Sequence, residues 1–285
     1  MRRLLVLTLM LFCVACNVLD NDTDDSPFVG ELTVTDGLIS DVSGDLPLNA
    51  GDPAPQALIE TGERTENLRF ALYAEECTGT GRLIQCDGGV EIYDPATGAL
   101  LSTFATPQAA TSVTVQDNLA YITWRSGDVL GGGGLVIADI STPENVVEVG
   151  AYPTLRHALT VDFANANTLY VLTMDSLHIL DMSDPAAPRS IGTYTENVML
   201  MDVIVVDDRA FVIQGSPCAP ASSPFECDHH LLELDISTPD APQSVQTIDL
   251  PDPETPYLYA EHRLTLIDGL LYVPVGDSRF VVMRG

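Results

Sequence analysis

The chain has no lysine. All 12 of its basic residues are arginine, set against 41 Asp and Glu, for a net charge of −29 over 285 residues. Such a surface repels nucleic acid and anionic lipid headgroups, which excludes phosphate-backbone binding as a function. It tolerates cationic or divalent-metal partners. Aromatic residues are few, with a single Trp. Catalytic signatures are missing too: there is no Gly-x-Ser-x-Gly elbow, no His-Glu-x-x-His, and no lysine for a phosphate-binding loop. What is present is 46% apolar sequence, enough for a substantial core in one large all-β domain or two small ones.

That apolar content is patterned. Residues 135–143 read Leu-Val-Ile-Ala-Asp-Ile-Ser-Thr-Pro, 177–185 read Leu-His-Ile-Leu-Asp-Met-Ser-Asp-Pro, and 231–239 read Leu-Leu-Glu-Leu-Asp-Ile-Ser-Thr-Pro. A weaker copy at 90–95 reads Val-Glu-Ile-Tyr-Asp-Pro. Leu135 and Ile137 face one side of a strand, Val136 and Ala138 the other. Both sides are apolar, so the strand is buried on both. The carboxylate of Asp139 can accept backbone N–H groups one or two residues on. Pro143 cannot donate to a ladder and ends the run. The four aspartates Asp94, Asp139, Asp181 and Asp235 therefore read as turn caps rather than as a metal-binding ring.

A second periodicity gives the count. An aromatic closes a short apolar run at Phe70, Tyr121, Tyr170, Phe211 and Tyr272. Most of these runs follow a strand and turn residues, which is a hairpin signal. Each hairpin leads into the Asp-ended strand and a fourth strand such as 146–152. Four antiparallel strands per 40 to 60 residues, repeated, describe propeller blades. The expected fold is all-β: a five-bladed β-propeller of four-stranded antiparallel blades. Its last blade has a third strand at 280–283 and takes its fourth from the N-terminal strand 28–35. The repeat unit resembles the LVIVD repeat of exported bacterial β-propellers, well over residues 88–250 and loosely outside them. That resemblance implies a fold and an extracytoplasmic location but no common ligand. Two copies depart from the unit: Pro95 to Gly98 follow Asp94, and Glu233 stands at an apolar position.

The N-terminus reads as a targeting segment. Arg2 and Arg3 precede an apolar run from Leu4 to Ala15, too short to span a bilayer. The ending Cys13-Val14-Ala15-Cys16 is similar to a bacterial lipoprotein signal, with Cys13 where Leu is usual. The similarity implies cleavage before Cys16 and lipidation of Cys16, and so a protein anchored in a bacterial envelope membrane, facing the periplasm or the cell surface. The division is then a signal peptide at 1–15, an acidic tether at 16–27 and one propeller domain at 28–285. Asp20, Asp22, Asp24 and Glu31 have the offsets of a calcium loop, but Asp25 replaces the required Gly. The remaining cysteines, Cys77, Cys86, Cys218 and Cys227, are an even number in an oxidising compartment. Each nearby pair is nine apart, and Cys77 and Cys218, like Phe70 and Phe211, are 141 apart. Local disulfides Cys77–Cys86 and Cys218–Cys227 are expected, one in each equivalent loop.

The candidate site is the rim that carries those loops. Trp124, Arg125, Arg156, His157, His229, His230, Glu261 and His262 all fall at the ends of strands there. The expected partner is a protein or a glycan, met by a monomer that needs no cofactor. Two other readings stand beside it: a glycan-active hydrolase using channel carboxylates such as Asp162, Asp202 or Glu261, and a metal-dependent adhesion or metal-handling protein that holds a divalent metal through the rim histidines. His178, inside a third strand, reads as core or edge. The four glycines at 131–134 read as a flexible turn.

Overall fold

The structure is a computed structural model that describes residues 33–36, 68–74, 87–127, 131–215, 229–250, 263–267, 270–274 and 279–284. All regular structure among them is β, in five antiparallel sheets. Strand β1 spans Thr33–Asp36. Sheet 1 holds β2 (Arg69–Ala74), β3 (Gly88–Tyr93) and β4 (Leu100–Thr106). Sheet 2 holds β5 (Ala109–Gln116), β6 (Leu119–Arg125), β7 (Gly133–Asp139) and β8 (Val147–Thr154). Sheet 3 holds β9 (Ala158–Asn165), β10 (Thr168–Thr173), β11 (Ser176–Asp181) and β12 (Arg189–Thr195). Sheet 4 holds β13 (Met199–Val206), β14 (Arg209–Gly215), β15 (His229–Asp235) and β16 (Gln243–Asp249). Sheet 5 holds β17 (Thr265–Ile267), β18 (Leu270–Pro274) and β19 (Arg279–Arg284), and its fourth strand is β1, antiparallel to β19 with Thr33 opposite Val282. The two ends of the chain thus share a sheet. Residues 28–32 of the expected N-terminal strand lie outside the described residues.

The sheets stack face to face in sequence order. Phe70 and Ile92 of sheet 1 meet Val113 and Ile122 of sheet 2. Tyr121 and Ile137 on the other face of sheet 2 meet Val161 and Leu169 of sheet 3. Tyr170 and Ile179 meet Leu200 and Val212 of sheet 4, and Phe211 and Leu231 meet Leu264 and Leu271 of sheet 5. An inner sheet therefore buries both faces, which is why β7 is apolar at every position from Leu135 to Ala138 and wholly buried there.

The turn after each third strand is built as its residues dictate. Asp139 Oδ1 accepts from the Ser141 N–H at 2.8 Å, Asp181 Oδ1 from Ser183 at 2.9 Å, and Asp235 Oδ1 from Ser237 at 2.9 Å. In the departing first copy, Asp94 Oδ1 accepts from Ala96 at 2.8 Å instead. These bonds hold the four carboxyls below their usual range, led by the backbone N–H at Asp139 and Asp181, the Ser237 hydroxyl at Asp235 and the Thr97 hydroxyl at Asp94. The next residue is tied to the hairpin turn beside it: Ile140 N donates to Asn118 O, Met182 N to Asn167 O and Ile236 N to Asp208 O.

The same turn interlocks neighbouring sheets. Ser102 of β4 donates through Oγ to Pro143 O at 2.5 Å. Gly150 of β8 and Gly192 of β12 occupy the matching register, each opposite the central Ile of its third strand. A Cβ on Gly150 would stand 2.3 Å from Pro185 O, and one on Gly192 2.0 Å from Pro239 O. These glycines are required by close approach of the next sheet's proline turn. The glycines at 131–134 correct the expectation of a flexible turn: Gly133 and Gly134 open β7, and Gly133 sits where a Cβ would be 2.4 Å from Trp124 O and 2.6 Å from Ala158 N.

Gly192→Ala is expected to cost about 1–3 kcal/mol by overpacking, measured by urea denaturation. Gly98→Ala tests the contrast. Its φ is +69° with nothing within 4 Å, so only the left-handed backbone, at about 1 kcal/mol, should be felt.

Candidate functional site

Four of the eight rim residues come together around the start of β7. Arg125 pairs with Gly133 and Trp124 with Gly134 across β6 and β7. A Cβ on Gly134 would lie 3.0 Å from the Trp124 indole Nε1, and one on Gly133 3.1 Å from Arg156 O. The glycines let Trp124 lie along the strand and let the segment entering β9 close over it. Trp124 is half-buried and Arg125 exposed. Arg156 is fixed by its Nε, which donates to Asp175 Oδ2 at 3.1 Å. His157 is buried, 3.5 Å from Ser126 Oγ through Nε2. Between these groups, Leu155 stands 92% exposed at the tip of the β8–β9 connection.

The other rim residues are placed differently. His229 is buried at the start of β15, opposite Gly215. His230 beside it pairs through Nδ1 with Asp249 Oδ1 at 2.9 Å. Glu261, His262, Cys16 and the cysteines Cys77, Cys86, Cys218 and Cys227 lie outside the described residues. Among the described residues no three His, Cys, Asp or Glu gather as metal ligands would. His178 is half-buried: its Nε2 lies 3.2 Å from Ser176 Oγ and its Nδ1 3.4 Å from Tyr152 OH. Burial holds its pKa below the ordinary value, against the pull of Asp175.

A second convergence lies on the first strands of the sheets. Asp202 of β13 is 3% exposed, and its Oδ2 accepts from the Leu264 N–H at 2.6 Å. Its Oδ1 is 3.7 Å from Arg263 Nη1. That Nη1 donates to Thr160 Oγ1 of β9 at 2.6 Å, so groups from sheets 3, 4 and 5 meet at one guanidinium. Asp162 of β9 makes a parallel link, its Oδ2 accepting from the Val205 N–H of β13 at 2.6 Å. Asp162 and Asp202 therefore clamp β9 to β13 and β13 to the residue that leads into β17. Burial pushes the Asp202 carboxyl up to about 6, assisted by Asp162 and opposed by Arg263 and the Leu264 and Val203 N–H groups. The sequence carries one signal for this cluster: Asp202 and Arg263 each stand nine positions before the aromatic of their sheet, opposite charges at matching places.

Two stretches match the LVIVD repeat. The family model covers residues 108–154 and 167–196, which hold sheet 2 and the last three strands of sheet 3, in a repeat family typical of propeller folds. Among solved structures, the chain is similar to a hypothetical selenium-binding protein from Sulfolobus tokodaii, at 9% identity and a TM-score of 0.48, over 63% of this chain and 52% of that one. The chain thus spans about half the length of that protein. Comparison with curated proteins gave no match.

Folding raises the Asp202 carboxyl above its ordinary value near 4. The stability tied to its protonated form is thus complete below about 4 and is lost as pH rises through about 6. The wild type should melt higher at pH 5 than at pH 7.5. Asp202→Asn should shrink that difference, mostly by raising the melting temperature at pH 7.5. An equal pH response in both proteins contradicts the assignment.

Proposed function

We propose that the chain is a lipid-anchored, exported five-bladed β-propeller that binds a protein or polymer partner through its loop-bearing rim. The observation that carries the binding role is Leu155, 92% exposed beside an arginine that Asp175 already holds in place. An apolar tip next to an oriented guanidinium, with Trp124 and Arg125 adjoining, has the composition of an interface centre. Tight loops and buried supports such as His157 lower the ordering entropy that binding would otherwise cost.

The closed ring is supported by register. Thr33 lies opposite Val282, which lies opposite Tyr272, so Thr33 holds the place that Ser102, Gly150 and Gly192 hold in sheets 1 to 3. In a ring, the turn 94–98 of sheet 1 would dock on Thr33 as Pro143 docks on Ser102. The anchor at Cys16, the acidic tether at 16–27 and the disulfides Cys77–Cys86 and Cys218–Cys227 belong to the same reading. Two disulfided loops on this rim would add to its rigidity. The proposed location is the bacterial envelope, facing the periplasm or the cell surface.

Mass spectrometry of the native protein should find an acylated peptide beginning at Cys16; an unmodified peptide running through residues 10–20 contradicts the anchor. For the binding role, the lipidated protein is cross-linked in its own envelope and recovered. Leu155→Asp should reduce recovery of the main partner at least tenfold. Val147→Asp, at the opposite end of β8 and 54% exposed, should leave it intact. Equal recovery with both variants removes the rim as the binding surface.

A further inference from the structure

We infer that Arg263, positioned by Thr160 and Asp202, is a receptor for a monovalent carboxylate, and that binding there is coupled to uptake of a proton.

Among the described residues the guanidinium is held through Nη1 alone. Nη1 is committed to Thr160 Oγ1 at 2.6 Å, while its contact with Asp202 Oδ1, at 3.7 Å, is an ion pair longer than a charge-assisted hydrogen bond. No described residue accepts from Nε or Nη2, and the side chain is 37% exposed. Among the described residues nothing occupies the Nε–Nη2 edge of the fork, the edge that recognises a planar oxyanion through two parallel N–H···O bonds. Thr160 and Asp202 are 3% exposed, so the support is rigid and largely out of water. Three sheets contribute one group each, at the inner strands, where side chains from separate repeats can converge on one ligand.

Shape selects the ligand class: the two oxygens of a planar carboxylate match two parallel N–H groups of a guanidinium edge. Among the described residues the carboxylates at this cluster are Asp202, paired with Arg263, and Asp162, which acts on Asp202. Asp162 has both oxygens occupied by backbone donors, Phe163 N at 2.9 Å and Val205 N at 2.6 Å. Asp202 has one, at Oδ2, and its carboxyl titrates near 6 with Arg263 and Asp162 as its charged neighbours. When a ligand carboxylate takes the free edge of Arg263, two anions share one cation. Protonating Asp202 at Oδ1, from solvent, relieves the excess charge. Asp202 thus acts as the positioning residue that makes binding depend on pH. This inference does not use the rim, and the partner-recovery experiment does not bear on it.

The test follows the Nε–H signal of Arg263 by NMR while glucuronate is added to the full exported domain at pH 5.5 and pH 7.5. A saturable shift is expected, with apparent affinity falling roughly 25-fold between those pH values for a group titrating near 6. Arg263→Gln should abolish glucuronate binding, read by calorimetry. Arg263→Lys, which keeps the charge and the fold but loses the planar fork, should lose most of it. Asp202→Asn should bind more tightly than wild type at pH 7.5 and lose the pH dependence. Repeating the titration with an oligogalacturonate distinguishes the source: tighter binding per carboxylate points to a polymer, equal binding to a small free acid. No saturable shift at pH 5.5, equal binding by folded Arg263→Gln or Arg263→Lys, or an unchanged pH dependence in Asp202→Asn overturns the inference.

Discussion

Everything in this fold depends on the approach of one carbonyl to one backbone. The proline turn that ends each Asp-x-Ser-x-Pro strand must reach the outer strand of the preceding sheet, and Pro143 O, Pro185 O and Pro239 O do so at Ser102, Gly150 and Gly192. The apolar cores between sheets supply most of the stabilisation but are non-directional. The turn contact fixes how far one sheet can slide or rotate on the next. It also explains why Asp and Ser recur with the proline. The Asp carboxylate fixes the turn by accepting from the Ser N–H, and the following residue is tied to the neighbouring hairpin, so the carbonyl is aimed before it meets its partner.

The departures from the repeat fit this constraint. Glu233 stands where Ile137 and Ile179 stand in the other sheets, yet it is wholly buried. Its Oε2 accepts from Gln246 at 2.7 Å and its Oε1 lies 3.6 Å from Arg209. Gln246 is opposite Glu233 and so matches Gly150 and Gly192 in register. Where those sheets have a glycine against a proline carbonyl, sheet 4 has a side chain that turns back onto its own third strand. A buried carboxylate paired in this way is costly to break, because loss of either partner leaves the other charge uncompensated.

The architecture was legible because it rests on periodicity. Alternation along β7, β11 and β15, the aromatic in each second strand and the Asp-ended turns follow from local residue order. The pairing of β1 with β19 was legible for a related reason: the last unit lacked one strand and the first stretch supplied one. What escaped was the environment of single residues. Gly133 and Gly134 looked like a loop, because a run of glycine carries no signal that a neighbouring backbone will press against each missing Cβ. His157 and His229 looked like surface groups, and burial under adjoining segments is not encoded in spacing. The two stretches that carry Cys77, Cys86, Cys218 and Cys227 have few apolar residues, so pattern says little about their shape.

The inner cluster shows the deeper reason why sites are harder to read than folds. Thr160, Asp202 and Arg263 are separated by 42 and 61 positions, and each is unremarked among its neighbours. In a repeat architecture, however, matching positions become neighbours in space, so sequence distance is the wrong measure. Aligned by their aromatics, Asp202 and Arg263 fall at one place in successive sheets, and Ser112 occupies that place in sheet 2. The repeats keep the apolar positions nearly constant because each has the same packing task. By strand register this place is held by Ser112, Thr160 and Asp202, each opposite the residue two beyond the aromatic of its sheet, and its residue differs from sheet to sheet. Within a repeat fold, the positions that break the consensus are freed from the shared packing task. Here they are an acid, a guanidinium and a hydroxyl, and the guanidinium meets both of the others.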